Sequence, residues 1–136
     1  MYETFEHTAD IGLRIRAATL PELFAEAACG LASLIVDDLA AIRPLETRVV
    51  ELAGSEPDLL LFDWLNELLY ACDRDRFVGS SFEVRLDEQG LMGRAAGERL
   101  DAARHRLVHE VKAITYHGLR VELAEGGWMA EVIVDI

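Results

Sequence analysis

Residues 57–73, PDLLLFDWLNELLYACD, carry a strongly amphipathic helical pattern. Pro57 lies between Ser55 and Asp58 at the start of this stretch, as is common in the first turn of a helix. A helix with one apolar stripe must bury that stripe against another layer of structure, so this segment predicts a packed core. The predicted stripe consists of Leu60, Leu61, Trp64, Leu65, Leu68, Leu69 and Cys72.

The remaining segments predict one more helix and several short strands. Thr19 and Glu22 have the spacing of a capping box, and apolar residues recur at helical spacing from Leu23 to Ile35. Gly126–Gly127 predicts a hairpin between the last two strands. The predicted class is α+β, a single domain over residues 1–136 in which two helices pack on one face of a mixed, largely antiparallel β-sheet. The predicted strands are 2–6, 11–17, 43–54, 81–86, 90–97, 111–117, 119–124 and 128–136.

The charge of the chain disfavours direct binding to nucleic acid. Its 25 acidic residues outnumber 13 basic ones, for a net charge of −12. Nucleic-acid surfaces neutralise phosphates with clustered lysine and arginine, whereas an acidic protein suits cations or a basic protein partner. No stretch predicts a membrane span or a secretory signal, so a cytoplasmic location is expected. Cys29 and Cys72 lie on the apolar faces of the two helices, which is typical of buried thiols.

Three patches hold polar groups that a plain scaffold would not need. The first is EHTAD, residues 6–10, where His7 and Asp10 stand close together. A polar loop with Asp10 as a turn former is one interpretation. The other is a loop that binds a hard cation, because such ions prefer carboxylate, carbonyl and water oxygens.

The second patch contains Lys112, the single lysine of the chain against 12 arginines. This lysine could mark a site that needs a compact ammonium group, and chance is the alternative. Strand alternation predicts that it shares a face with Ile114 and Tyr116. Three further polar residues could lie nearby in the fold: Glu98, Asp101 and His105.

The third patch is the tail EVIVDI, where Asp135 precedes Ile136. The side-chain carboxylate and the terminal carboxylate repel each other unless a cation or basic neighbours lie close. A solvated chain end is the alternative, but an apolar strand of a hairpin favours a tail that is held in place.

The sequence lacks the local signatures of common enzymes. It contains no GxSxG, Walker or GxGxxG motif and no close His/Cys metal spacing. Two functions remain open on the residues alone. One is a stand-alone metal-dependent phosphoesterase with Asp10 and Asp135 as ligands and a histidine base. The other is a general chaperone-like interaction module.

The three patches together resemble the archease family, in order and in spacing. The segments that carry the resemblance are HTADIG near the N-terminus, GE followed by D and H, EVKAITYH, the LLFDWLNELLY helix and the closing DI. The resemblance implies an accessory protein, not an enzyme, that activates the RtcB-type tRNA-splicing RNA ligase. It would promote guanylylation and multiple turnover of the ligase in tRNA splicing and RNA repair.

The same resemblance implies the residues of the site. Asp10, Asp135 and the terminal Ile136 would bind a divalent cation, with Ca²⁺ as the ion of relatives and Mg²⁺ or Mn²⁺ as alternatives. Lys112 would take part in ligase activation. An all-oxygen ligand set of this kind favours these three ions over zinc.

Overall fold

The computed structural model describes residues 1–7 and 10–136, which form seven β-strands, two α-helices and one short 3₁₀-helix. The side chains of Glu6 and His7 lie outside the described part, as do Thr8 and Ala9. The strands are β1 (Tyr2–His7), β2 (Asp10–Ala17), β3 (Glu46–Ala53), β4 (Phe77–Asp87), β5 (Gly90–Arg99), β6 (Ala113–Ala124) and β7 (Gly127–Asp135). The helices are α1 (Leu20–Ile35) and α2 (Pro57–Asp75), and the 3₁₀-helix spans Leu39–Ala41.

The α+β class with two helices is confirmed, but the strands form two sheets instead of one. The first sheet has the order β1-β2-β7-β6 and the second the order β3-β5-β4, and all the pairings are antiparallel. Helix α1 contacts both β2 and β4, and α2 contacts both β6 and β3, so each helix packs against both sheets. The apolar stripes of the two helices therefore enter one core that is shared by both sheets.

Local signals in the sequence account for the start of α1 and for the last hairpin. The Thr19 hydroxyl accepts a hydrogen bond from the backbone N–H of Glu22 at 3.3 Å, as the capping pattern predicts. Gly126 has φ +80° in the turn between β6 and β7, a conformation that favours glycine. The Thr19 half of the predicted capping box and the predicted hairpin are confirmed.

Trp64 lies at the centre of the core, with none of its surface exposed. Its indole Nε1–H donates to the carbonyl of Phe24 in α1 at 3.0 Å. Its ring meets Phe82 of β4 edge-on, with ring centroids 6.4 Å apart. The predicted stripe of α2 is buried as expected, except that Leu68 is half-buried.

Strand β6 differs from the prediction of two short strands. It is one strand whose pairing with β7 shifts between Thr115 and Arg120. The alternation of faces therefore breaks inside the segment, since alternation requires an uninterrupted register. Lys112 lies before β6 and is exposed, whereas Ile114 lies inside the strand and is buried, so strand alternation does not extend to Lys112.

The two cysteines are free thiols, as predicted, and burial raises the pKa of each. Cys72 is buried and Cys29 is half-buried. Within the described residues, no helix is long and apolar enough to cross a membrane.

Candidate functional site

Asp10 and Asp135 lie opposite each other at one end of the four-stranded sheet. Strand β2 begins at Asp10, strand β7 ends at Asp135, and the antiparallel register makes the two residues direct cross-strand partners. Directly opposite side chains in such a pair have Cβ atoms about 4.5–5.5 Å apart and point to the same face. Both residues are half-buried. The fold thus brings together two carboxylates that are 125 positions apart in the sequence.

The C-terminal tail is held in place beside this pair. The half-buried side chain of Ile136 packs against the hydrophobic core. The backbone N–H of Lys112 donates to the carbonyl oxygen of Asp135 at 2.8 Å. The tail is therefore held by the packing of the Ile136 side chain and by the hydrogen bond to the Asp135 backbone, which places the backbone of Lys112 next to it.

Four of the residues singled out from the sequence therefore meet at one end of the sheet. Asp10 and Asp135 face each other, Ile136 follows Asp135, and Lys112 is bonded to Asp135. His7 is the cross-strand partner of Asp10 in β1, but its side chain lies outside the described residues.

The donor set at this end of the sheet fits a hard divalent cation. It comprises two opposed side-chain carboxylates and, one residue further along the chain, the α-carboxylate of Ile136, all of them oxygen donors. Among the described side chains, which leave out those of residues 6–9, no three from His, Cys, Asp and Glu form a metal-binding group. Within that described set, the α-carboxylate of Ile136 is the oxygen donor that follows Asp135 in the chain.

Glu98, Asp101 and His105 form a separate buried cluster. Glu98 is 6% exposed and His105 is 2% exposed. The His105 Nδ1 accepts the backbone N–H of Asp101 at 2.9 Å, so the ring proton resides on Nε2, which lies 3.1 Å from Glu98 Oε2. With this tautomer the Nε2–H group donates to the Glu98 carboxylate.

Two arginines that the sequence gave no reason to select complete this cluster. The Glu98 carboxylate accepts the backbone N–H of Arg43 at 2.7 Å and lies 3.1 Å from the Arg43 guanidinium. The Arg104 guanidinium lies 2.5 Å from Glu98 Oε2, the oxygen that also accepts the Arg43 backbone N–H. These donors hold the pKa of Glu98 well below its usual range, with the backbone hydrogen bond from Arg43 as the main cause. The cluster ties the connection between β5 and β6 to the segment before β3.

Replacing Glu98 with glutamine should reduce stability most at neutral pH. The pKa of Glu98 is lower in the folded chain than its ordinary value of 4.5. The ionised carboxylate therefore stabilises the fold fully above pH 4.5, and this stabilisation is lost as the pH falls toward the pKa of the folded state. The difference in melting temperature between wild type and Glu98→Gln should therefore narrow from pH 7 to pH 3. Glu125→Gln, in the exposed hairpin turn, is the control. A difference that stays constant with pH would contradict the assignment.

Comparison with known proteins agrees with this architecture. The sequence model that describes the archease protein family matches residues 2–136 of this chain. The chain belongs to the archease family. The archease of Pyrococcus furiosus is 39% identical over 143 residues, covering 99% of this chain and 98% of the relative. The archease of Methanopyrus kandleri is 42% identical over 139 residues, covering 99% of each chain.

Two solved structures share the archease fold. Protein 1598 of Methanobacterium thermoautotrophicum superposes with a TM-score of 0.83 at 32% identity, covering 99% of this chain and 98% of its own. A Thermotoga maritima protein, described as an archease and possible chaperone, superposes with a TM-score of 0.69 at 22% identity, covering 100% of this chain and 98% of its own. The second likeness concerns the fold alone.

Proposed function

We propose that this protein is an accessory factor that activates the RtcB-type tRNA-splicing RNA ligase. It docks on the ligase and promotes guanylylation and multiple turnover in tRNA splicing and RNA repair. Membership of the archease family supports an accessory role over a stand-alone enzyme.

The observation that carries the proposal is the meeting of Asp10, Asp135, Ile136 and Lys112 at one end of the sheet. The resemblance of the sequence to archeases selected these residues, and the register of β2 with β7 makes the two aspartates neighbours. Asp10, Asp135 and the Ile136 carboxylate would hold a divalent cation, Ca²⁺ in the first instance. The cation would supply a concentrated positive charge that neighbouring carboxylates position.

Lys112 is placed to act outward from this end. Its side chain is exposed, while its backbone N–H is bonded to Asp135. An exposed ammonium on a fixed backbone can reach into the active site of a docked partner, where it would stabilise a developing negative charge on a phosphate. The net charge of −12 favours docking on a basic, RNA-binding enzyme.

The decisive experiment measures RNA ligation with the ligase limiting. With wild-type protein the ligase should complete many turnovers, and without it about one per enzyme. Lys112→Ala should lose most of the stimulation, because the ammonium is absent from the site. The matched control is Arg85→Ala, which removes an exposed cation from the second sheet.

Other outcomes would point to other functions. Equal turnover with and without the protein would refute the proposal. Hydrolysis of a phosphodiester by the protein alone, abolished by Asp10→Ala, would instead indicate a metal-dependent phosphoesterase. Suppression of aggregation of unrelated proteins, unaffected by Asp135→Ala, would indicate a general chaperone.

A further inference from the structure

A groove lies beneath the connection between β5 and β6. It has a volume of about 430 Å³, which is within the range of about 300–1,000 Å³ typical of binding pockets. Its floor is formed by buried apolar side chains: Ile35, Leu69 and Val111. At its rim, Leu107 is 44% exposed and Val108 is 45% exposed. The groove therefore presents apolar side chains at its floor and rim, interspersed with the polar residues Asp73, Arg76, His109 and Glu110, and it opens to solvent.

The exposed rim has a fixed backbone. The N–H of Val108 donates to the carbonyl of Ile35 at 2.9 Å, and Leu107 forms a β-bridge with Val36. The N–H of His109 donates to the carbonyl of Leu34 at 3.0 Å. Apolar side chains on a fixed backbone lose little conformational entropy when a partner covers them, so this rim is suited to binding.

The electrostatics of the groove favour a positively charged occupant. Helices α1 and α2 both end at the groove; α1 has no basic residue in its last turn, whereas α2 has Arg74 there and Arg76 as its C-cap. Helix C-termini carry partial negative charge and favour cations. Asp73 and Glu110 stand exposed at the rim and form no ion pair within the described chain. These carboxylates outnumber the single guanidinium of Arg76.

The groove is adjacent to the end of the sheet that carries Asp10 and Asp135. Glu110 and Val111 line it, and the next residue is Lys112, whose N–H bonds the carbonyl of Asp135. A chain segment seated in the groove would therefore bring the rest of its protein up to Lys112.

We propose that this groove is the docking surface for a basic, amphipathic segment of a partner protein. Apolar side chains of that segment would cover the floor and the Leu107–Val108 rim, and its lysine or arginine side chains would pair with Asp73 and Glu110. The inference rests on the proposed function, in which the partner is the RNA ligase.

The test separates docking from activation. The variants are Leu107→Asp and Glu110→Lys, with Leu123→Asp and Glu125→Lys as matched controls. The controls alter exposed residues at the hairpin end of β6 and β7, which lies roughly 26 Å from Asp135 along a nine-residue strand. Melting temperatures establish that all four variants are folded. The affinity of each variant for the purified ligase is then measured by titration calorimetry.

The groove variants should bind the ligase about tenfold or more weakly, as expected when a central contact of an interface is lost. The controls should stay within about twofold of wild type. At saturating concentrations the groove variants should still restore ligase turnover. Lys112→Ala should show the opposite pattern, with affinity kept and turnover lost.

Two results would overturn the inference, and they differ from a failure of the proposed function. If the groove variants bind as tightly as wild type, or the control variants lose as much affinity, docking occurs elsewhere while the proposed function stands. If wild-type protein neither binds the ligase nor changes its turnover, the proposed function fails and the inference with it.

Discussion

Replacing Trp64 with alanine should lower the free energy of unfolding by about 3–5 kcal/mol, since deleting a large core side chain loses its burial and leaves a cavity. Trp64 is fully buried, bonds α1 through the Phe24 carbonyl and packs on Phe82 of β4. One side chain thus joins both helices to the three-stranded sheet. Chemical denaturation followed by circular dichroism measures the loss.

Two further variants make this prediction independent of whether Trp64→Ala folds. Trp64→Phe keeps an aromatic ring but removes the N–H donor to the Phe24 carbonyl, so its free energy of unfolding should lie between those of the wild type and Trp64→Ala. Tyr70→Ala is the matched control, because Tyr70 is 56% exposed on α2 and its ring centroid lies 4.8 Å from the Arg74 guanidinium carbon. Its cost should stay below about 1 kcal/mol. A similar loss for Tyr70→Ala would contradict the central role of Trp64.

Calcium affinity should fall at least about tenfold, equal to about 1.4 kcal/mol, when either aspartate of the opposed pair is replaced by asparagine. Asp10 and Asp135 are cross-strand partners, and each substitution would remove one negative charge from the proposed set of three carboxylate ligands. Titration calorimetry with Ca²⁺, repeated with Mg²⁺ and Mn²⁺, measures the affinity. The calcium-induced rise in melting temperature should shrink in parallel, because an ion bound only by the folded state stabilises it.

The terminal carboxylate has its own test. Extending the chain by one glycine after Ile136 moves the α-carboxylate away while retaining both aspartates, so affinity should fall as it does for Asp135→Asn. Asp63→Asn, on the exposed side of α2, is the control and should bind as wild type does. Equal affinities of the extended and native chains would show that the terminus is not a ligand.

The helices and the last hairpin could be predicted because their signals are local. The Thr19 cap, the apolar stripe of α2 and the glycines at the β6–β7 turn each depend on residues a few positions apart. The β-alternation of residues 11–17 likewise places Leu13 and Ile15 in the core. The family resemblance, in turn, selected the residues of the candidate site.

The pairing of strands that are far apart in the sequence could be learned only from the tertiary structure. Nothing near Asp10 specifies that β2 pairs with β7, or that the register sets it opposite Asp135. The division into two sheets depends on which strands pair with one another, and simple alternation did not predict the position of Lys112 because this residue lies before β6, outside the strand. Strand register is set by the sum of long-range side-chain contacts, which local propensity does not contain.

The cluster around Glu98 shows the same limit for buried charges. The sequence alone gives no partner for the polar residues Glu98 and His105. In the structure, one donor to Glu98 is Arg43, which is 55 positions away in the chain. A buried carboxylate must find donors wherever the fold supplies them, so its partners are known only once the chain is folded. The sequence by itself determined the helices, their apolar faces and the residue types available to bind a cation. The tertiary structure decided which of those residues meet, because meeting depends on register and packing across the whole chain.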